Sequence, residues 1–352
     1  MIAAHPPRAQ AVGDTEHERV RDALRLEWSP VLLGRDAADY DSFVEQAASG
    51  HYAQARRWAD LASAGRPFAS SFVLARDARG RVVGTALVLR ACCLGLPLPY
   101  AVIERGPVVD APSLFRPFLV QLARAARRRG IARLAVMPYW EVSAGSAVQQ
   151  ALRELGWCPV QKPEGLHART LRVAAAGKTD TALFAGGGFS SLRQRLRIAE
   201  RAGVQVRRGR ADDLPAFARL YDALMLRQGR SGKSAAWLRA MSARDFGPRG
   251  EVGLFFTEQD GRPIATALTV RHGRLVTFIL GATDETPSKL SKMAPALVAA
   301  IRWARDLGAD LDLGGIPLEG DSDPKRLAIA HFKGDFSQEP IALLGQHARW
   351  LW

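Results

Sequence analysis

Cysteine is scarce in this chain, with three residues among 352. Cys92 and Cys93 are adjacent and Cys158 stands alone, so they match neither a disulfide framework nor the paired spacing of a zinc site. Thiols that stay reduced are typical of the cytosol, and the sequence therefore predicts a cytoplasmic protein without a metal site.

Long apolar runs are also missing. No uninterrupted apolar stretch reaches the ~18 residues that a membrane-spanning helix needs, so the sequence predicts no membrane partner. The first 13 residues lack the apolar core of a signal peptide. Residues 1–30 are therefore expected to form a flexible N-terminal tail.

Acidic residues are few relative to basic ones. The chain has 35 Asp and Glu against 49 Lys and Arg, which gives a formal net charge of +14. Such an excess favours anionic or phosphate-rich partners. An arginine-rich composition can also reflect the base composition of a genome, so the charge alone does not decide between these interpretations.

The two halves of the chain repeat one order of elements: a β-hairpin, a strand, a helix and a strand. The hairpin turns lie at Gly80 and Gly261 and the helices end at Gly130 and Gly308, so the offset is about 180 residues both times. Gly-Arg and Thr-Ala-Leu also recur at matching places, which disfavours chance similarity. The sequence predicts two similar α/β domains, residues 31–175 and 176–352, with a C-terminal segment that returns to the first.

The end of the second half carries an isolated lysine in apolar surroundings. A predicted strand over residues 310–313 enters the pair Gly314-Gly315, where backbone can approach a ligand closely. A helix that follows ends with Lys333 between Phe332 and Phe336. This pattern indicates either a cation at the edge of an apolar site or an ordinary capping helix whose lysine snorkels to solvent.

A predicted helix after the glycines at 186–188 carries arginines at every fourth position, Arg193, Arg197 and Arg201, which places them on one face. Such a stripe can bind nucleic-acid phosphates, although charged stripes are commonly only solvated faces. A later predicted helix ends at Arg227.

Short motifs along residues 36–345 resemble the Fem family, which are non-ribosomal peptidyl transferases that use aminoacyl-tRNA. Each motif is weak alone, but all occur in the family's order. They are Gln54 with Trp58, residues 100–107 with Asp110, residues 195–203, residues 220–221 with Arg227, residues 280–282, residues 312–316, and Phe332-Lys333 with Phe336.

The resemblance implies a fold and an activity. The fold would be two tandem GNAT-like (acetyltransferase-like) α/β domains with mixed sheets, and we expect a monomer. The activity would be transfer of an aminoacyl group from charged tRNA, the co-substrate, to the amine of a peptide or small acceptor that can be nucleotide-linked. No cofactor and no metal are expected.

The resemblance also implies roles for residues. Lys333 would lie where tRNA phosphate and the reacting ester meet, and Arg227 would grip the diphosphate of the acceptor. Further substrate contacts are expected from Tyr100, Arg105 and Phe332. Ala62 departs from the family pattern because peptidoglycan-bridge members carry a diphosphate-binding lysine there, which favours an acceptor other than the usual cell-wall precursor.

Aminolysis of an ester forms a negative oxygen in its transition state, and a nearby cation is the largest single help. Lys333 is therefore the expected catalytic cation, and Asp110 a candidate to accept the amine's proton, as is Asp312. For both carboxylates the alternative is a structural bond to neighbouring backbone.

Two other functions compete with this interpretation. An acetyl-CoA-dependent N-acyltransferase of the same fold would need helix amides free to bind pyrophosphate, yet Asp284 and Glu285 stand at that place. A non-catalytic RNA-binding protein would need aromatic side chains interleaved with the basic stripe, and residues 192–202 contain none.

Overall fold

The computed structural model describes residues 24–160, 168–286, 289–337 and 339–352. These residues form fifteen strands and ten helices. The strands are β1 Arg25–Ser29, β2 Phe68–Arg76, β3 Val82–Cys93, β4 Leu96–Ile103, β5 Val108–Val109, β6 Arg133–Val136, β7 Cys158–Pro159, β8 Arg169–Val173, β9 Gln205–Gly209, β10 Val252–Gln259, β11 Arg262–His272, β12 Leu275–Thr283, β13 Asp310–Gly315, β14 Pro340–Ala342 and β15 His347–Trp350. The helices are α1 Gly34–Gln46, α2 Ala59–Ser63, α3 Pro112–Arg128, α4 Ser146–Glu154, α5 Asp180–Leu183, α6 Ser190–Arg201, α7 Leu214–Arg227, α8 Ala235–Ser242, α9 Met293–Asp306 and α10 Pro324–Gly334.

The strands form two mixed sheets of matching topology. The first has the order β1-β2-β3-β4-β6-β15-β7, with β5 paired to β3, and the second has the order β14-β8-β13-β12-β11-β10-β9. In each sheet one parallel pair, β4 with β6 or β12 with β13, is joined through one long helix, α3 or α9. The predicted duplication of hairpin, strand, helix and strand is confirmed.

Each sheet takes a strand from the other half of the chain. β15, near the C-terminal end, pairs with β6 of the first sheet. β8 pairs with β13 of the second sheet and buries Leu171 and Val173 in its core, although it precedes the expected boundary at residue 176. Burial against β13 assigns this strand to the second sheet.

Regular structure is present within the segment that the sequence predicts to be a tail. β1 lies within the segment 1–30 that the sequence predicts to be a flexible tail, yet it pairs along its whole length with β2. Trp28 packs against the first core and its indole N–H donates to Ser71 at 2.9 Å. The rest of the predicted tail, residues 1–23, lies outside the described residues.

Each long helix packs its apolar face against one of the two sheets. On α3, Phe118 and Leu122 are fully buried on the first sheet. On α9 the buried residues include Leu297 and Ile301, which recur at helical spacing and face the second sheet. Among the described residues, no helix is long and apolar enough to span a bilayer.

His272 joins the two halves where β11 ends. Its imidazole Nε2 lies 2.9 Å from the Val44 carbonyl of α1. Burial is the largest effect on the imidazole and lowers its pKa below the ordinary value; the Arg57 charge adds to this, while the Val44 carbonyl, Glu45 and Asp41 act in the opposite direction. The neutral ring is therefore the form that the folded state favours.

This junction predicts a loss of stability in mild acid. Because the folded-state pKa lies below the unfolded value, the unfolded chain binds the extra proton first, and stability falls as the pH drops below about 6.5. His272→Gln should make the change in unfolding free energy between pH 7 and pH 5 smaller than in the wild type. Denaturant unfolding at both pH values measures this. An unchanged pH dependence of the unfolding free energy in His272→Gln would contradict this prediction. A glutamine variant of His347, whose pKa burial also lowers, serves as the comparison.

Candidate active site

The site begins where the parallel strands of the second sheet separate. β12 and β13 pair only from Leu275 with Asp310 to Thr277 with Asp312. Beyond that point Gly314 adopts a left-handed φ of +78°, and a Cβ there would come within 3.4 Å of the Phe278 carbonyl. Glycine is needed because L side chains rarely adopt this conformation. The turn points the Gly315 carbonyl at helix α10.

Lys333 occupies this opening. Its Nζ donates a hydrogen bond of 2.8 Å to the Gly315 carbonyl and would lie 3.7 Å from a Cβ on Gly314. Burial lowers the pKa of Lys333 to about 8, while the Asp312 charge raises it. At pH 7 the amine is therefore still mostly protonated, and it is a desolvated cation bonded to the Gly315 carbonyl.

Asp312 forms the centre of a buried polar network. Asp312 is almost completely buried, with 1% of its surface exposed. The carboxylate accepts hydrogen bonds from the Gly314 N–H at 2.7 Å, from the Tyr139 hydroxyl at 2.7 Å and from the Thr170 hydroxyl. These bonds tie the Gly314-Gly315 turn to β8 and to the first domain. Asp312 therefore holds the turn that holds Lys333.

The first domain supplies aromatic rings to this network. Burial and the Asp312 charge raise the pKa of Tyr139, so its hydroxyl stays protonated and donates. The Arg105 guanidinium lies 5.3 Å from the Tyr139 ring centre. The His51 ring lies between Tyr139 and Tyr52, with ring centres 4.7 and 4.5 Å apart. Burial raises the pKa of Tyr52 to about 12.

Arg105 has an unusual backbone. Its φ is +57°, a left-handed value that costs energy for a bulky residue. Gly106, which follows, would place a Cβ 2.5 Å from the buried Gln54 side chain. Gln54 in turn donates to the Glu104 carbonyl at 2.6 Å and accepts from the Leu87 N–H at 2.8 Å. Packing against Gln54 fixes this loop and aims Arg105 at the site.

A cavity of about 580 Å³ adjoins Tyr52 and lies between the domains. Its walls combine aromatic side chains with charges of both signs. The lining includes Tyr52, Trp58, Arg66, Glu104, Lys233 and Trp237. Ile279 and Leu280 of β12 also line it, so the cavity reaches the strand that opens beside Lys333.

Lys233 is a half-buried cation in the wall of this cavity. Its Nζ lies 5.2 Å from the Trp237 ring centre and 5.7 Å from that of Tyr221. Burial, and then the neighbouring Arg66 charge, lower the pKa of Lys233. Ala62, where the sequence resemblance led us to expect a lysine, lines the same cavity.

The predicted residues do not all meet at this site. Lys333 and Arg105 lie in the network around Asp312, but Asp110 is about half exposed, with an Arg81 guanidinium nitrogen 3.6 Å from its carboxylate. Arg227 lies outside the cavity lining. It pairs with Glu285 at 2.9 Å and donates to the Thr283 carbonyl at 3.0 Å.

Phe332 and Tyr100 have structural contacts. Phe332 packs edge-on against Phe336, with ring centres 5.3 Å apart, and lines a smaller pocket of about 320 Å³ beside α9. Tyr100 lies on β4 under the Arg133 guanidinium, 5.8 Å away, and burial raises its pKa.

The arginine stripe on α6 divides into two kinds of residue. Arg193 donates to the Phe184 and Gly186 carbonyls at 2.6 and 2.9 Å, so it fixes the preceding loop. Arg197 and Arg201 are exposed. Arg195, which lies between Arg193 and Arg197 in sequence, pairs with Asp335, two positions beyond Lys333. Helix α6 is therefore bound directly to the end of α10.

Sequence reasoning missed Tyr139, Tyr52, His51 and Lys233. None of them carries a motif of its own, and only folding brings them to one place. The available signal was indirect: polar aromatic residues next to the Gln54 and Trp58 motif. Among the described residues, no group of three or more His, Cys, Asp or Glu side chains is placed to hold a metal ion.

Comparison with known proteins supports an acyltransferase fold. Residues 189–326 match the family model described as an acetyltransferase (GNAT) domain. No curated protein matches the chain in sequence.

Solved structures match over nearly the whole chain. FemX has 18% identity and a TM-score of 0.75, with 92% of this chain and 97% of that chain covered. The tandem GNAT protein from the clavulanic acid biosynthesis pathway has 12% identity and a TM-score of 0.54, with 93% and 99% covered. The C-terminal domain of an assigned lysylphosphatidylglycerol synthetase from Agrobacterium fabrum has 17% identity and a TM-score of 0.56, with 89% and 91% covered.

The predicted fold class is thereby confirmed: the chain consists of two tandem GNAT-like α/β domains, in the Fem-like arrangement that the sequence motifs indicated.

Proposed function

We propose that this protein transfers an aminoacyl group from a charged tRNA to the amine of a peptide or small acceptor. The acceptor nitrogen attacks the ester carbonyl carbon, the carbon–oxygen bond to the tRNA ribose breaks, and the ribose hydroxyl leaves with a proton. The amine loses one proton as the amide forms. Lys333, fixed at the Gly315 carbonyl beside the opening of β12 and β13, is the observation that carries this proposal.

The chemistry needs a cation where negative charge develops. The carbonyl oxygen of the ester becomes an oxyanion in the transition state, and a preorganised ammonium in a desolvated place stabilises it more than it stabilises the ground state. Lys333 meets this requirement because burial removes competing water while Asp312 keeps the amine protonated near neutral pH. In this mechanism Asp312 and Tyr139 position the cation and take no proton.

The acceptor belongs in the inter-domain cavity. Its amine can approach the opening of β12 past Ile279 and Leu280, while the rest of the molecule fills the space between Trp58 and Trp237. Lys233 and Arg66 would bind an anionic group of the acceptor, a nucleotide phosphate or a carboxylate. The pair Arg66 and Glu104, 3.0 Å apart, leaves Lys233 as the main source of positive charge.

The charged tRNA belongs on the other side of Lys333. Helix α6 presents Arg197 and Arg201 to solvent and is tied to α10 through Arg195 and Asp335. RNA phosphates bound along α6 would therefore bring the acceptor end close to the lysine. The net charge of +14 supports the same assignment.

An acetyl-CoA-dependent transferase is the second candidate, and the match of residues 189–326 to the GNAT domain favours it. The connection from β12 to α9 argues against it. There Lys292 donates to Asp284, and Arg227 pairs with Glu285 at 2.9 Å. Both cations are paired with the acids beside them, so neither offers an uncompensated charge to a pyrophosphate.

The donor can be tested directly. The protein is incubated with amines and either a pool of labelled aminoacyl-tRNAs or labelled acetyl-CoA. Label that becomes ribonuclease-resistant in an amide product, only from the tRNA pool, is the expected result. Transfer from acetyl-CoA alone would replace the proposal by the second candidate.

Replacing both Arg197 and Arg201 with glutamine should weaken tRNA binding roughly tenfold at low salt and reduce the salt dependence of the affinity by up to about two counterions. Folding should be unaffected because both side chains are exposed, whereas Arg193 is left intact for its backbone bonds. Filter binding across a salt series measures both quantities. The matched control changes Arg25 and Arg35, exposed on the first domain. An equal effect of the two pairs would mean that α6 is only a solvated face.

A further inference from the structure

The hairpin between β3 and β4 ends in an exposed leucine that its backbone disfavours. Leu94 and Gly95 form the two-residue loop, with φ values of +50° and +80°. Hairpin loops with two positive φ angles favour Asn-Gly, because a bulky residue is strained there. The Leu94 side chain is also 99% exposed. Neither turn geometry nor core packing accounts for a leucine at this position.

Further exposed apolar side chains continue from this tip along one end of the first sheet. Leu96 and Leu98 follow on β4, 70% and 40% exposed, and alternate residues of a strand share one face. Trp350 of β15 lies two strands away and stacks on Trp352 at 5.0 Å; both rings are mostly exposed. These five residues, Leu94, Leu96, Leu98, Trp350 and Trp352, are called the Leu–Trp edge below.

Arginine side chains connect and surround the Leu–Trp edge. Arg133 of β6 lies opposite both Tyr100 and Trp350 in the sheet, and its guanidinium is 5.7 Å from the Trp350 ring centre. On the other face, Arg90 donates to the Arg129 carbonyl at 2.9 Å, which places the exposed C-terminal turn of α3 at the same end of the sheet. That turn contributes the arginines at 127, 128 and 129.

This combination has the chemistry of an interfacial membrane contact. Exposed leucines can enter the boundary between headgroups and acyl chains, tryptophan rings favour the headgroup level, and arginines attract anionic lipids. RNA would match the arginines but leave the leucines in water. Interfacial docking requires no spanning helix, so it is compatible with the absence of one among the described residues.

We propose that the Leu–Trp edge docks the protein on the surface of an anionic lipid bilayer, with Leu94 in the boundary region. The hairpin contacts the cavity wall, because the Cys92 N–H donates to the Pro67 carbonyl at 2.7 Å and Arg66, next in the chain, lines the cavity. Docking thus brings the acceptor cavity close to the lipid. The proposal stands on this surface alone and does not depend on the donor used.

Co-sedimentation with vesicles tests the proposal. The full chain should bind vesicles that contain phosphatidylglycerol and bind pure phosphatidylcholine much less. Leu94→Asn should lower the vesicle affinity on the order of tenfold, since one leucine no longer enters the boundary. Its melting temperature should be equal or higher, because asparagine tolerates the positive φ. Leu226→Gln, which removes another exposed leucine on α7, should bind like the wild type.

Three results would overturn the proposal. They are no sedimentation of the wild type with anionic vesicles, equal binding by Leu94→Asn and wild type, and equal losses in Leu94→Asn and Leu226→Gln. A dimer in analytical ultracentrifugation that Leu94→Asn dissociates, without vesicle binding, would instead assign this edge to contact between copies of the chain.

Discussion

Replacing Lys333 with methionine is expected to lower the turnover number of acyl transfer on the order of a hundredfold or more, because an oxyanion stabiliser is removed. Methionine is unbranched and keeps most of the apolar stem of lysine, so the folded structure should persist. Single-turnover transfer, with thermal melting of the same preparation, measures both effects. The change should appear in the rate of the chemical step and hardly in donor affinity.

Lys333→Arg is the matched variant. A guanidinium keeps the charge but is planar and wider than the ammonium, so we expect partial rescue only. A near-normal rate for Lys333→Met would remove the lysine from the mechanism.

The stability of the methionine variant carries independent information. The folded-state pKa of Lys333, about 8, lies below its ordinary value of 10.5, so folding disfavours the charged amine. Between these two pH values the unfolded chain binds more protons, and the stability of the wild type therefore rises with pH. Lys333→Met should lack this rise.

Much of the fold could be predicted from local pattern. Gly80 and Gly261, which turn the two hairpins, have left-handed φ values of +76° and +72° in the structure. The order of strands and helices that repeats around these glycines predicted the two similar domains. The sheet to which β8 and β15 belong could not be predicted in this way, because each pairs with a strand from a distant part of the chain. The boundary at residue 176 followed sequence order, whereas the sheets follow burial of side chains such as Leu171.

The site divides in the same way. Lys333 and the glycine pair stand close in sequence, so their pattern indicated a ligand. Arg227 was expected through the family resemblance and Asp110 from the chemistry of aminolysis. The structure shows local partners for both: Glu285 for the arginine and Arg81 for the carboxylate. Tyr139 contacts Asp312 across 173 positions, and no local pattern predicts such a pair.

Asp312 is expected to set the alkaline limit of the reaction. Its charge is the one that raises the pKa of Lys333 against burial. Two other charged groups lie nearby, and each has its own partner. Asp335, near the end of α10, is paired with Arg195, and Arg172 on β8 donates to the Tyr139 hydroxyl at 3.2 Å. The wild-type transfer rate should therefore fall above about pH 8, where Lys333 loses its proton.

Asp312→Asn should move that limit to lower pH. The asparagine oxygen can still accept from the Gly314 N–H, so the turn is retained, but the charge that supports the ammonium is lost. We expect the rate to fall roughly three- to tenfold more at pH 8 than at pH 6, relative to the wild type. A pH series of single-turnover rates measures this difference.

Tyr139→Phe is the control that separates charge from packing. It removes the hydroxyl that donates to Asp312 at 2.7 Å but leaves the carboxylate in place. If Asp312 acts by its charge, the phenylalanine variant keeps the alkaline limit of the wild type even where its rate is lower, because Lys333 still has its counter-charge. If both variants lower the rate equally at every pH, Asp312 only supports the Gly314-Gly315 turn. The shape of the pH profile therefore decides the role of Asp312.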